Sequence, residues 1–266
     1  MKSIKNFIRL FYNNWELIFE LSKRELRDRH AGQLLGLAWA YGHPILIMGM
    51  YTLLFAYVFP ARFVENKVSH DFSVNIFAGL VPWLFMQDLL TRSTTILQRH
   101  ANLVKQIIFP VEVLPIKVTI SCIFPYIPGI IFTILYSGLN GKLSPLSFAI
   151  PFLVIFQIIG MIGIAMILSA AGVFIKDLKE VVTVFCSVNL FAIPVLYNPS
   201  STPSWLKLIF DWNPFSYMVW CWQDTLYAGK IDHPIAWIIF PIVNILLFYI
   251  GWVIFERVKI WFGDDL

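Results

Sequence analysis

Charged side chains are scarce in this chain: Asp, Glu, Lys and Arg make up 14% of its 266 residues, against about 25% in soluble domains. With 58% hydrophobic residues and a mean hydropathy of +0.72, the chain has more apolar surface than a soluble core could hide. Motifs for nucleotide and hydrolytic chemistry are missing as well. The sequence holds no GxxxxGK[ST] phosphate loop, no HExxH and no GxSxG, so any nucleotide-driven process needs an ATPase on another chain. Its three cysteines, Cys122, Cys186 and Cys221, sit in apolar surroundings without CxxC spacing or a nearby His cluster, which argues against disulfides and metal sites. The first 30 residues lack the apolar run and small-residue cleavage site of a removable signal peptide, so the N-terminus is expected to belong to the mature protein. The net charge of +4 is spread over loops that bracket apolar runs. No basic face for nucleic acid follows from it.

What is abundant is apolar length and aromatic rings. A stretch of about 26 uncharged residues begins at Leu34, more than enough at ~1.5 Å per residue to cross a hydrocarbon core ~30 Å thick. The expected spans are 34–59, 72–90, 118–139, 147–175, 181–198 and 234–255. Pro125 and Pro128 interrupt the third, which membrane helices tolerate when neighbours satisfy the freed carbonyls. Gly160, Gly163, Ala165 and Ser169 give the fourth a small face for close helix packing. Residues 1–33 form an amphipathic interface helix, with Ile4, Phe7, Ile8, Phe11, Trp15, Ile18 and Phe19 in one stripe and a Lys- and Arg-rich opposite side. Residues 199–233 are too interrupted to cross and suggest short re-entrant helices at the outer face. The fold expected is an all-α integral membrane protein, a single domain over 1–266 with six transmembrane helices.

Basic residues set the orientation. Fifteen of the twenty Lys and Arg fall before the first span, around the 91–117 connection, at Lys176 and Lys179, or in the tail. Arg62, Lys67, Lys142, Lys207 and Lys230 fall on the other side. Both termini are therefore expected in the cytoplasm.

Inside the spans His43 is the main ionisable residue, whereas proton- and sodium-coupled carriers keep Asp, Glu or His relays there. Its expected role is a hydrogen bond to a neighbouring helix. Before the first span, Glu20 with Arg24 and Glu25 with Arg29 stand at i,i+4 in the favourable order for ion pairs. Lys23, Arg27 and His30 share a face with no acid partner in the sequence pattern, suited to an anionic head group. The 98–115 loop is basic with an apolar patch at Leu103, Ile107 and Ile108, followed by Phe109 and Pro110. It reads either as a coupling helix for a soluble partner or as a membrane-hugging linker.

The chain resembles the membrane subunit of type 2 ABC exporters, in the branch that moves O antigen, capsule or teichoic acid. The resemblance covers nearly the whole length. It rests on Arg24, Leu26, Arg29, Leu35-Gly36, Trp39 and Pro44, on Asn102-Leu103-Val104-Lys105, and on Phe109-Pro110, Glu112 and Leu114-Pro115. Lys176-Asp177-Leu178, Pro194-Val195, Tyr197 and Asn213-Pro214 follow in order. The chain departs from the family pattern at His30, Val111 and Ile193. The resemblance implies a bacterial inner-membrane homodimer, two ABC ATPase subunits that bind ATP and Mg, and a lipid diphosphate-linked polysaccharide as cargo. No cofactor is expected in this chain itself.

The charge pattern makes Lys23, Arg27 and His30 the head-group residues, whereas the resemblance favours Arg24 and Arg29. Under that resemblance the residues coupling to the ATPase are Leu103, Lys105, Ile107, Phe109, Pro110 and Glu112. Sugar rings stack their C–H faces on aromatic rings, so Trp39, Tyr41, Tyr51, Phe55, Trp83, Phe185 and Tyr197 are the channel candidates. Two other classes stay open: a type 2 permease for a drug or small lipid-like cargo, and a membrane glycosyl- or acyltransferase. The last would need a carboxylate pair or a His with an acidic partner. Asp71, Asp211, Asp224 and Asp232 look scattered in the sequence, with no such constellation.

Overall fold

A computed structural model describes residues 2–29, 31–54, 69–105, 109–197 and 202–262, and among these all regular structure is helical. In chain order the helices are α1 (Lys2–Asp28), α2 (Ala38–Leu53), α3 (Ser69–Ser93), α4 (Ile96–Arg99), α5 (Ala101–Val104), α6 (Val113–Leu139), α7 (Ile150–Phe174), α8 (Leu178–Asn189), α9 (Ser204–Trp212), α10 (Pro214–Gln223) and α11 (Pro234–Val258). Among the described residues four segments are long and apolar enough to cross a membrane: Ser73–Ser93, Val113–Leu139, Pro145–Phe174 and Pro234–Trp261. They correspond to the expected second, third, fourth and sixth spans.

The other two expected spans differ. Residues 31–37 are turns, α2 is 16 residues long, and the remainder of 34–59 lies outside the described residues from Phe55 on. For 181–198 the structure has α8, a 12-residue helix, which at ~1.5 Å per residue reaches only ~18 Å. Turns occupy 190–197. The expected third span begins earlier than its apolar pattern, at Val113, because Val113, Leu114 and Ile116 are fully buried and Lys117 finds partners inside the fold. It runs through Pro125 and Pro128 without a break.

The core forms where α7 crosses α11. A Cβ at Gly163 would land on the backbone of Leu247 and Phe248, and one at Gly251 on the backbone of Gly163. Hydrogen at both positions lets the two backbones touch, which is how helices gain van der Waals contact where lipid removes the hydrophobic drive. Gly160 accommodates Asn244, whose amide donates to Phe240 O at 2.7 Å. Gln157, also buried, ties three helices: its Nε2 donates to Pro82 O at 3.1 Å and its Oε1 accepts from Trp222 Nε1 at 3.1 Å.

Helix α1 lies against this bundle with only part of the expected apolar stripe, joined by neighbours outside it. Phe7 meets Phe248 and Trp252 edge-on at 4.8 and 5.3 Å, Ile18 and Ser22 are buried, and Leu10 and Leu21 pack on the core. Phe11, Trp15 and Phe19 stay exposed. Of the stripe residues whose side chains are described, Phe7 and Ile18 thus pack on protein and the other three face outward. Asn14 leaves helical geometry (φ −121°, ψ 16°) and bends the helix around the bundle while its amide donates to Leu10 O at 2.9 Å.

Candidate functional site

Two charged clusters form where the end of α1 meets the start of α6 and the end of α3. In the first, Lys117 Nζ donates to Glu25 Oε2 at 2.8 Å, and His100 Nε2 lies 2.7 Å from Lys117 Nζ and 3.3 Å from Glu25 Oε2. Lys117 is 2% exposed, and an ammonium buried to that extent requires the pairing it finds here. Hydrogen bonding to His100 holds the Glu25 carboxyl down to about 2 against the opposing desolvation, and Lys117 adds to the effect. Ser22 Oγ lies 3.1 Å from Lys117 O and fixes the same helix pair. This cluster clamps α1 to the connection that carries α4 and α5.

In the second cluster Asp88 takes a short bond from Arg92 Nε at 2.7 Å and a looser fork from Arg29, both of whose terminal nitrogens stand at 3.4 Å. Beside it a cavity of about 410 Å³ is lined by Arg29, Gln33, Trp39, His43, Asp88 and Tyr126, among others. His43 is exposed and lines this cavity together with Asp88 of α3 and Tyr126 of α6, and it makes no hydrogen bond among the described residues.

The pairings read from spacing along α1 are therefore replaced. Arg24 pairs with Asp28 at 3.3 Å rather than with Glu20, Glu25 turns inward to Lys117, and Arg29 reaches Asp88 on α3. Tertiary partners out-compete i,i+4 neighbours here because a half-buried ion pair is screened less than an exposed one. Lys23 and Arg27 are exposed, with no ion-pair partner among the described residues. His30 lies outside the described residues.

Of the channel candidates, Trp39 and Tyr41 are exposed on α2, Tyr51 is half-buried, and Phe185 is exposed on α8. Tyr197 is half-buried and donates its hydroxyl to Phe191 O at 3.0 Å. Trp83 is a correction: it is fully buried, edge-on to Phe215 at 5.4 Å, and belongs to the core rather than to a lining. Phe55 lies outside the described residues.

The expected coupling helix over 98–115 is also corrected. It is divided into two single turns, α4 and α5, that break at His100 (φ −115°, ψ 26°). Leu103 is half-buried and Lys105 exposed, Phe109 and Pro110 are half-buried, and Ile107 lies outside the described residues. Glu112 is buried and accepts from Lys259 Nζ at 2.5 Å. It ties the start of α6 to the end of α11 and offers no carboxylate to a docking partner.

At the opposite end of the bundle the structure assembles what the sequence seemed to lack. Asp224, 1% exposed, accepts from His233 Nδ1 at 2.9 Å, from His233 N at 3.0 Å and from Trp237 Nε1 at 3.1 Å. The turn between them passes through Gly229 in left-handed geometry (φ 68°). Spacing gave no warning of this acid–His pair, because helix α10, the turn and the start of α11 must fold together to create it. Neither was the Glu25–Lys117–His100 cluster visible. Its one sequence signal was a Lys at the head of an apolar run.

Residues 16–227 match the ABC-2 type transporter family. Two proteins from Klebsiella pneumoniae named O-antigen export system permease protein RfbA are each 25% identical over 258 residues, covering 95% of this chain and 95% of the relative. A protein of the same name from Myxococcus xanthus is 25% identical over 263 residues, covering 97% of this chain and 98% of its own. With an apolar helical bundle, no phosphate loop of its own, and a family match spanning most of its length, this chain belongs to the ABC-2 type transporter family as a membrane transport subunit rather than an enzyme.

Proposed function

We propose that this chain is the channel-forming permease of an ATP-driven exporter that moves a lipid diphosphate-linked polysaccharide out of the bacterial cytoplasm. The observation that carries the reading is likeness to O-antigen export permeases along 95–97% of the chain. In this reading two copies form the channel and two ABC ATPase subunits, which hold ATP and Mg, dock on the end that carries Glu25, Asp88 and Lys259. Both termini lie on that cytoplasmic side of the inner membrane, in accord with the surplus of Lys and Arg there. Helix α2 belongs to the first of six crossings. Helix α8 makes the fifth together with residues 190–197, and α9 and α10 re-enter from outside.

The charged end suits a diphosphate. Lys23 and Arg27 share one face of α1 and add surface attraction of ~1 kcal/mol each. Arg29 supplies a planar fork that fits carboxylate and phosphate alike. Asp88 keeps its 2.7 Å bond from Arg92 when the looser Arg29 contact at 3.4 Å opens. Arg29 can therefore exchange a carboxylate for a phosphate without leaving a buried charge alone. Trp39 and Tyr41 on α2, with Tyr51 and Phe185, then give the sugar chain rings to slide along. Leu103, Lys105, Phe109 and Pro110 present the ATPase-facing surface.

The test is depletion of this chain in cells that make the polysaccharide. Lipid-linked glycan should accumulate on the cytoplasmic side while surface glycan falls. Unchanged surface glycan together with altered drug susceptibility would instead support the small-cargo permease reading.

A further inference from the structure

His233, held by Asp224, borders a second cavity, of about 600 Å³, at the end of the bundle away from the charged clusters. That volume falls within the range of about 300–1,000 Å³ of small-molecule sites. Its wall brings together an aromatic array and a set of polar groups. Tyr217 and Trp220 meet edge-on at 5.4 Å, and the His233 ring lies parallel to Trp220 at 5.1 Å. The array is rigid: Tyr217 donates its hydroxyl to Asp211 O at 2.6 Å, and His233 is held at two atoms by a buried carboxylate.

Because His233 Nδ1 is committed to Asp224, the polar atom it has left is Nε2, on a ring that lines the cavity. An imidazole tied in this way is a fixed hydrogen-bonding group. Gln223, Asp211 and Lys207 line the same space. Flat rings beside carboxylate, amide, ammonium and imidazole groups match the two surfaces of a sugar, its C–H faces and its hydroxyl edges. The charge balance speaks against an anion. Lys207 is the sole Lys or Arg of the wall, and it shares the cavity with the carboxylates of Asp211 and Asp232.

We propose that this cavity is a carbohydrate-binding site that engages sugar units of the glycan at the outer face, with Trp220 and His233 as its platform and Asp224 as a positioning residue. The site rests on the polysaccharide reading of the preceding section and adds to it a contact built within a single subunit. Its role is to hold the emerging chain at the exit, on a wall that carries no phosphate-binding cluster.

The test uses the intact permease–ATPase complex in lipid nanodiscs. The probe is the oligosaccharide repeat unit released by mild acid from the producing cells' own surface polysaccharide, free of lipid and diphosphate. Saturation-transfer NMR should show transfer to ring C–H protons. Trp220→Ala should weaken binding at least tenfold, whereas Trp220→Phe retains most of it. His233→Asn keeps a donor for Asp224 while deleting Nε2, and should weaken binding about fivefold at an unchanged melting temperature. No transfer in a complex that exports normally would overturn the site and leave the polysaccharide reading intact. Displacement of the probe by inorganic phosphate would also overturn it, by making the cavity an anion site. Unchanged surface glycan after depletion of the chain would remove the polysaccharide reading itself, and with it this proposal.

Discussion

Removing either partner of the Glu25–Lys117 pair should release α1 from the bundle, and removing both should largely restore it. Lys117 has 2% and Glu25 14% of its side chain exposed. Stripping the carboxylate leaves a buried ammonium with one partner, and breaking a buried pair in this way costs about 3–5 kcal/mol. The depressed Glu25 acidity gives a second measure. A fall from 4.5 to about 2, at ~1.4 kcal/mol per pH unit, corresponds to ~3 kcal/mol, reduced to ~2 kcal/mol for the solvent that reaches Glu25. Trypsin sites at Lys23, Arg24 and Arg27 report on α1, since cleavage requires the helix to open locally. Glu25→Gln and Lys117→Met should each raise the cleavage rate at pH 8 by roughly 30-fold, the equivalent of ~2 kcal/mol. The double variant should stay within about fivefold of the parent, because no lone charge is buried. The pH sign follows from the lowered folded value: the stabilisation is fully present above about 4.5 and is lost as pH falls towards about 2. Melting temperature should therefore decline over that window in the parent and decline less in Glu25→Gln. Single variants as resistant as the parent, with α1 still in place, would refute the clamp.

Export should fall in Lys23→Gln with Arg27→Gln at normal protein level, because these exposed cations hold no ion pair among the described residues; unchanged export in that variant would shift the head-group role to Arg29. Arg29→Gln should lower export with melting temperature changed by no more than a few degrees, since Arg92 retains Asp88 at 2.7 Å; Arg92→Gln should be the more destabilising of the two. Glu112→Arg should reduce the amount of folded permease itself, because it puts a cation against Lys259 in a buried position; a stable protein that merely fails to copurify with an ATPase would return Glu112 to the docking surface. The three native cysteines are buried, so single cysteines can be read by thiol labelling in intact cells. Lys230→Cys should react from outside and Asn102→Cys only after the membrane is opened, and the reverse pattern would invert the orientation. Gly163→Val should abolish folded protein at the α7–α11 crossing, whereas Gly42→Val, with open space around it, should be tolerated.

Hydropathy alone decided that this chain is a helical membrane protein, because a run of apolar residues longer than a bilayer core leaves the backbone no solution other than intrachain hydrogen bonds. It also placed four of the long spans to within a few residues, while residue size marked Gly160 and Gly163 for close packing and the family resemblance rested on the order of motifs. What it did not decide was which charges meet. Spacing paired Glu25 with Arg29, but the fold brings Lys117 from 92 residues away and gives Arg29 to Asp88. A local pattern counts only neighbours on one helix, while a partly desolvated pair between helices is worth more than an exposed one along a helix. The same limit hid Trp83, an aromatic residue that looks identical in sequence whether it lines a channel or fills a core. Asp224 looked scattered until the turn at Gly229 closed α10 onto the start of α11 and brought His233 to it. Burial and convergence are properties of several elements at once, so only tertiary structure decided which polar groups of this sparsely charged chain form sites.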